Sequence, residues 1–330
     1  MSTITATPAT AAHPTTTPPT EAEGQGKRVD VYSRVTTMIV DKLEQGVMPW
    51  LQPWKAEFAA GRITRPLRST GQPYQGINIL MLWASAELQG LACPYWLTFA
   101  QAKQLGGFVK KGEKGTPVVY ASTFKKKEQG DDGQEIEEEI PFLKEYTVFN
   151  AEQCEGLPAH FYQLAEKPTH KLERIERAEA FFANTGAEIR VGGTRAYYAV
   201  EPDYVQMPPF ETFRDAESNA AVLGHELCHW TRHPSRLNRD LGRKKWGDEG
   251  YAMEELVAEL GAAFLCADLN ITPEVRDDHA SYIDNWLKVL KGDKRAIFSA
   301  ASLASKAVEY LHGLQPQHTV PAPEQAESVA

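Results

Sequence analysis

The stretch AVLGHELCHWTRH (221–233) holds two histidines four residues apart, His225 and His229, with Glu226 directly after the first. On an α-helix, residues i and i+4 share a face one turn apart. The spacing lets two imidazoles reach one ion, while Glu226, displaced by one position, reaches a water beside that ion. This is the residue set of metal-assisted hydrolysis, two ligands and a carboxylate acting as general base. The plainer reading, two structural histidines and a solvated glutamate, requires no further ligand elsewhere in the chain.

A catalytic zinc takes a third protein ligand and keeps one position open. YAMEELVAELGAAFL (251–265) reads as a helix whose core face carries Leu256, Leu260 and Ala263. Its phase puts Glu255 and Glu259 on one side, Glu255 as the third ligand and Glu259 as a carboxylate that orients a histidine. Glu254 is the runner-up ligand. His233 is a weaker one, because Pro234 ends the first helix. The ion expected is divalent, zinc first and manganese as the alternative. Cys228 should face away from it and pack, and Tyr251 and Arg232 are candidate donors to a developing oxyanion. Upstream, RAYYAVEPDYVQMP (195–208) reads as strand that could hold an extended protein substrate by main-chain pairing.

These segments need positioning elements, and the hydrophobic periodicity supplies them. VDVYSRVTTMIVDKLEQG (29–46) has helical spacing and a stop at Gly46, a helix is expected over about 78–88, and another within YWLTFAQAKQLGG (95–107). TPVVYASTFKKK (116–127) and IPFLKEYTVFN (140–150) read as strands around an acidic loop, EQGDDGQEIEEE (128–139). Further on come a helix over 171–186, a strand in AEIRVGG (187–193) and a helical run over about 281–311. The expected class is α+β with two domains, residues 29–150 and 171–313, joined by a linker over 151–170. The Thr-, Pro- and Ala-rich start, residues 1–28, and residues 314–330 are expected to be disordered tails.

Charge separates the two halves. The chain carries −9 overall, yet residues 27–127 hold 15 Lys and Arg against 6 Asp and Glu, which leaves −18 on the remainder. A basic module that meets a polyanion, tethered to an acidic module, fits that asymmetry. Basic and aromatic residues interleave in the first module, as single-stranded DNA requires: cations for phosphates and ring faces for bases. The candidates are Trp50, Trp54, Lys55, Arg65, Arg68, Tyr74, Lys110, Lys111 and Lys114, against the alternative that the aromatic residues are core. No apolar run reaches a membrane span and no secretory leader pattern opens the chain, so a cytoplasmic protein with no membrane partner is expected. Four cysteines without CxxC spacing read as buried thiols.

Several stretches together resemble a known family. VYSRVTTMIVDKLEQGVMPWLQPW, GQPYQGINILMLW, WLTFAQAKQLGGFVKKGEKGTPVVY and YTVFNAEQCEGLP are similar to the N-terminal domain of ArdC-type plasmid antirestriction proteins, also found in front of TraC-type primases. AYYAVEPDYVQMP, HELCHWTRHPSRL and EELVAELGAAFL resemble the zincin-like metallopeptidase domain that follows it. The resemblance implies non-specific single-stranded DNA binding and protection of incoming conjugative DNA from host restriction. It carries metal-site roles onto His225, Glu226, His229 and a glutamate of EELVAE, and it implies no priming activity. The alternative is a DNA-binding protein whose metal site is structural and catalytically silent.

Overall fold

The computed structural model describes residues 30–51, 64–129, 135–162, 171–242, 248–273 and 279–316. The expected tail over 1–28 lies outside them, as do residues 317–330 of the tail expected over 314–330. The first half runs α1 (Val31–Glu44), β1 (Leu67–Arg68), α2 (Ile77–Gln89), β2 (Tyr95–Leu97), α3 (Phe99–Gln104), β3 (Phe108–Val109), β4 (Thr116–Gln129), β5 (Glu135–Asn150) and β6 (Cys154–Glu155). The second runs α4 (Lys171–Ala183), β7 (Glu188–Val191), β8 (Tyr197–Ala199), β9 (Tyr204–Met207), α5 (Ala216–Trp230), α6 (Glu249–Leu269), α7 (His279–Gly292) and α8 (Ala296–Gly313).

Local chemistry accounts for most of these bounds. Asp30 caps α1 by accepting from the Ser33 N–H, and Val35, Ile39 and Leu43 recur at i, i+4 and i+8 on its buried face. The helix expected within 95–107 is only six residues long. Thr98 and Gln101 form a capping box that starts it at Phe99, while Tyr95–Leu97, aromatic-rich, joins the sheet as β2. The described residues of the acidic segment expected as a loop, 128–129 and 135–139, are instead strand. The register pairs Lys125, Lys126 and Lys127 with Glu139, Glu138 and Glu137 along the hairpin. The expected run over 281–311 is two helices, broken at 293–295.

The first half builds a sheet in the order β1-β2-β5-β4 and a small ladder of β3 with β6. The linker expected over 151–170 is therefore corrected in its first part. Cys154 pairs with Val109 and Phe161 is buried against the cluster of Cys93 and Leu97, so residues 151–162 belong to the first module's fold. Residues 163–170 lie outside the described set. At the other end Gln315 donates to the Phe181 carbonyl, which ties the residues after α8 to α4.

The second half carries a sheet ordered β7-β9-β8, with α5, α6 and α8 packed together beside it. One hydrophobic core runs through both halves. Trp50 meets Trp286 with ring centroids 5.5 Å apart, and Trp83 meets Phe264 at 5.8 Å. Polar contacts cross the same seam: the Gly76 N–H donates to Ser305 Oγ at 2.8 Å and the Thr36 hydroxyl to the Lys294 carbonyl at 2.7 Å. The four cysteines are buried and unbridged. Among the described residues no helix is long and apolar enough to cross a membrane.

Candidate metal centre

Helix α5 starts at an Asp215 cap and presents both motif histidines inward, His225 at 2% exposure and His229 at 9%. Helix α6 crosses it closely because two glycines face the partner helix. A methyl at Gly261 would lie 2.7 Å from Cys228 Sγ, and one at Gly224 would lie 3.4 Å from Leu265. Cys228 is thus a packing residue turned toward α6. Its burial pushes the thiol pKa up to about 12.

The close crossing brings Glu255 between the imidazoles. Its two carboxylate oxygens lie 3.6 Å from His225 Nε2 and 3.6 Å from His229 Nε2. Two ligands at about 2.1 Å from a tetrahedral ion lie about 3.4 Å from each other, so these separations suit one shared ion. His225, His229 and Glu255 form a group whose donor atoms all fall within 4.8 Å. Both ring nitrogens of His225 are buried without a hydrogen-bond partner. A buried polar atom left in that way costs about 1–3 kcal/mol, which a coordinated ion would relieve at Nε2. The residues therefore fit a divalent metal.

Carboxylates stand behind each ligand. Glu259 Oε1 lies 3.4 Å from His225 Nδ1, and Glu254 Oε1 lies 3.1 Å from His229 Nδ1. Glu254, the runner-up ligand in the sequence, thus faces the far nitrogen of His229. It is held there by Arg239, whose Nε donates to Oε2 at 2.8 Å and whose Nη2 donates to Oε1 at 2.7 Å. Arg239 also donates to the Cys228 carbonyl and the Thr231 hydroxyl, pinning the end of α5. Burial alone would raise the Glu254 pKa, but the hydrogen bonds from Arg239 and His229 bring it to about 2. Burial likewise disfavours the imidazolium of His229, yet Glu255 and Glu254 override it and push the pKa up to about 10. No pattern around Arg239 in the sequence marks it for this role, since it reaches the site from an irregular segment.

Above the three donors opens a cleft of about 190 Å³, lined by Glu226, Arg232, Tyr251 and Tyr282 and walled by Tyr197 and Tyr198 of β8. β8 is an edge strand, paired only to β9 among the described residues. Arg236 fixes it to the end of α5, donating to Asp203, the Tyr198 hydroxyl and the Trp230 carbonyl. The Tyr251 and Tyr282 hydroxyls lie 2.9 Å apart in the cleft wall. His233 is turned elsewhere, with Nδ1 at 2.7 Å from the Ser235 hydroxyl.

The zincin-like metallopeptidase family matches residues 176–303, and the N-terminal domain of anti-restriction factor ArdC matches residues 29–149. The metal-free crystal structure of the antirestriction ArdC protein from the R388 plasmid is similar at TM-score 0.73 and 43% identity, over 87% of this chain and 98% of that one. The chain belongs to the ArdC antirestriction protein family. The Mn(II)-bound structure of the same R388 protein gives TM-score 0.70 and 42% identity, again over 87% and 98%. The uncharacterized protein y4eC of Sinorhizobium fredii is 42% identical over 292 residues, 87% of this chain and 92% of that protein. A DNA primase TraC of Escherichia coli is 37% identical over 297 residues, but the match spans 85% of this chain and only 27% of the primase.

Within this ArdC-type chain, the residues read as DNA contacts have separate fates. Trp50 is fully buried against Trp286, and Tyr74 is buried with its hydroxyl donating to the Trp96 carbonyl, so neither presents a ring to a base. Arg65 is buried too, its Nε donating to Asp268 at 2.6 Å. These three are corrected from DNA contacts to parts of the shared core. Tryptophan, tyrosine and an arginine stem gain more from burial than from solvent. Lys110 is half-buried and donates to the Glu152 carbonyl, whereas Arg68, Lys111 and Lys114 are exposed. Trp54 and Lys55 lie outside the described residues. Phe108, which no motif in the sequence marks, is 56% exposed two residues before Lys110.

Proposed function

We propose that this chain is an antirestriction protein that binds single-stranded DNA through its first module and cleaves a protein substrate at a divalent-metal centre in its second. The observation that carries the hydrolytic half is the convergence of His225, His229 and Glu255 at the floor of a cleft that Glu226 also lines and an edge strand walls. Two imidazoles and a carboxylate suit zinc, and the Mn(II)-bound relative makes manganese the alternative. Such an ion, when bound, supplies Lewis-acid polarisation and lowers the pKa of water.

The chain's own residues supply the rest. Glu226 takes a proton from the attacking water and returns it to the leaving amine. Glu254 is hydrogen-bonded to Nδ1 of His229, which fixes that ring plane, and Glu259 stands 3.4 Å behind Nδ1 of His225, in reach once that ring takes an ion at Nε2. β8 offers main-chain pairing to an extended peptide, with Arg236 keeping the strand in place. Tyr251, Tyr282 and Arg232 line the same cleft and are the candidate donors to the carbonyl oxygen.

The DNA half is supported by the matching ArdC N-terminal domain, the likeness to primase TraC and the exposed turn of Phe108, Lys111 and Lys114. In this reading the protein works in the cytoplasm, where incoming conjugative DNA meets restriction enzymes. The decisive variant is Glu226→Gln, with metal content checked by mass spectrometry. Loss of protection in a plasmid-transfer assay at unchanged metal content supports hydrolysis. Full protection would instead favour a structural, silent metal site. Salt-dependent binding of a labelled single-stranded oligonucleotide tests the DNA half, and absence of binding overturns it.

A further inference from the structure

Between the modules, α1, α2, β4 and α8 enclose a groove of about 450 Å³, larger than the cleft over the metal centre. Tyr32, Arg68 and Tyr120 line it from the first module, and Phe298, Ser302 and Lys306 line it from α8. The Tyr32 and Phe298 rings lie 4.6 Å apart across the seam, with the Arg295 guanidinium 5.3 Å from the Tyr32 ring. Tyr120 is 53% exposed. Arg68 and Lys306 are exposed and belong to no ion pair among the described residues. The carboxylate in the lining, Glu309, accepts a hydrogen bond from the Gln75 side chain.

Ring faces beside cations are what unpaired nucleic acid needs, because bases stack on the rings and phosphates pair with the charges. A peptide strand fits less well. The Asn78 side-chain amide already occupies both the N–H and the carbonyl of Val119, each at 2.8 Å, so the β4 edge is closed at this point. Lys114 stands six residues before Tyr120, roughly 20 Å along an extended strand. One stretch of a few nucleotides could span both.

We propose that this inter-module groove is a subsite for single-stranded DNA. Bases stack on Tyr120 and on the Tyr32–Phe298 pair, and phosphates rest on Arg68 and Lys306. The inference rests on the reading that the protein binds single-stranded DNA, and it adds that the metallopeptidase module itself holds the strand. Helix α8 packs on α6, which carries Glu255, so the bound strand lies one helix away from the metal centre.

The test uses the full chain, a fluorescein-labelled oligo-dT and anisotropy over a salt series. Tyr120→Ala is expected to weaken binding roughly tenfold through the lost stacking face. Lys306→Glu is expected to weaken it by a similar factor and to lower the slope of log K against log salt by about 0.7 per lost phosphate contact. On the wild-type protein, an oligonucleotide carrying 5-iododeoxyuridine should photo-crosslink to Tyr32, Tyr120 or Phe298. If wild type binds, both variants bind equally well and the adducts map elsewhere, the groove assignment falls and DNA binding stands. If wild type does not bind, both readings fall.

Discussion

Replacing Gly261 with alanine perturbs the metal centre without touching a ligand. The added methyl would lie 2.7 Å from Cys228 Sγ and 3.4 Å from its Cβ. Cys228 lies between His225 and His229 on α5 and is fully buried. Ordinary contacts fall at about 3.5–4.0 Å, so α5 and α6 must separate by roughly 0.8 Å or the thiol must turn into packed core. Overpacking of this kind costs about 1–3 kcal/mol, while replacing glycine in a helix interior returns about 1 kcal/mol. The net loss is then about 1 kcal/mol, or roughly 2–4 °C in Tm. Metal binding should suffer more. Glu255 and Glu259 ride on α6 while both imidazoles ride on α5, so the separation opens the ligand set and is expected to lower affinity at least about tenfold. The assay pairs thermal unfolding in chelator with metal titration of Gly261→Ala, Cys228→Ala and the double variant. Cys228→Ala removes the offending sulfur, so the double variant should regain affinity, with a coupling of about 1 kcal/mol or more. Wild-type metal affinity in Gly261→Ala, or no recovery in the double variant, would refute the argument that this helix contact sets the site.

Arg239→Ala leaves the Glu254 carboxylate buried without its two-pronged partner, and a stability loss of about 3–5 kcal/mol is expected in urea unfolding. The milder pair Arg239→Met with Glu254→Gln should recover much of it. His229, held at a pKa of about 10 against an ordinary 6.5, keeps its proton at neutral pH in metal-free protein. That proton stabilises the metal-free fold fully below about pH 6.5, and the contribution fades as pH rises toward 10. Metal must displace it, so affinity should climb by up to about tenfold per unit from pH 6.5 to 9, with about one proton released in calorimetry. An affinity that stays flat across this range would contradict the assignment of His229. Arg236→Ala should loosen the cleft wall, seen as faster amide exchange over residues 197–204, with α6 amides unchanged. Equal exchange in the variant would show that the clamp is dispensable.

The sequence by itself determined the chemistry on each helix. A four-residue spacing places His225 and His229 on one face and Glu255 and Glu259 on another, whatever surrounds them, because helical periodicity is a local property. The amphipathic pattern of α1, the charge asymmetry and the family motifs were legible for the same reason. What pairs with what was not. Helix α6 is buried on nearly every side, so its own apolar pattern leaves the choice between Glu254 and Glu255 open. Only the crossing with α5, made close by Gly261 against Cys228, turns Glu255 to the ion site and Glu254 to the back of His229. Arg239 arrives from an irregular segment that has no periodicity to read. Trp50, Tyr74 and Arg65 carry the letters of a DNA surface, yet packing buries them, Trp50 and Arg65 at the module seam and Tyr74 within the first module, because residue type records what a side chain can do and long-range packing decides which way it faces. That same seam sets Tyr32 beside Phe298, 266 positions later in the chain, a proximity only the tertiary structure supplies.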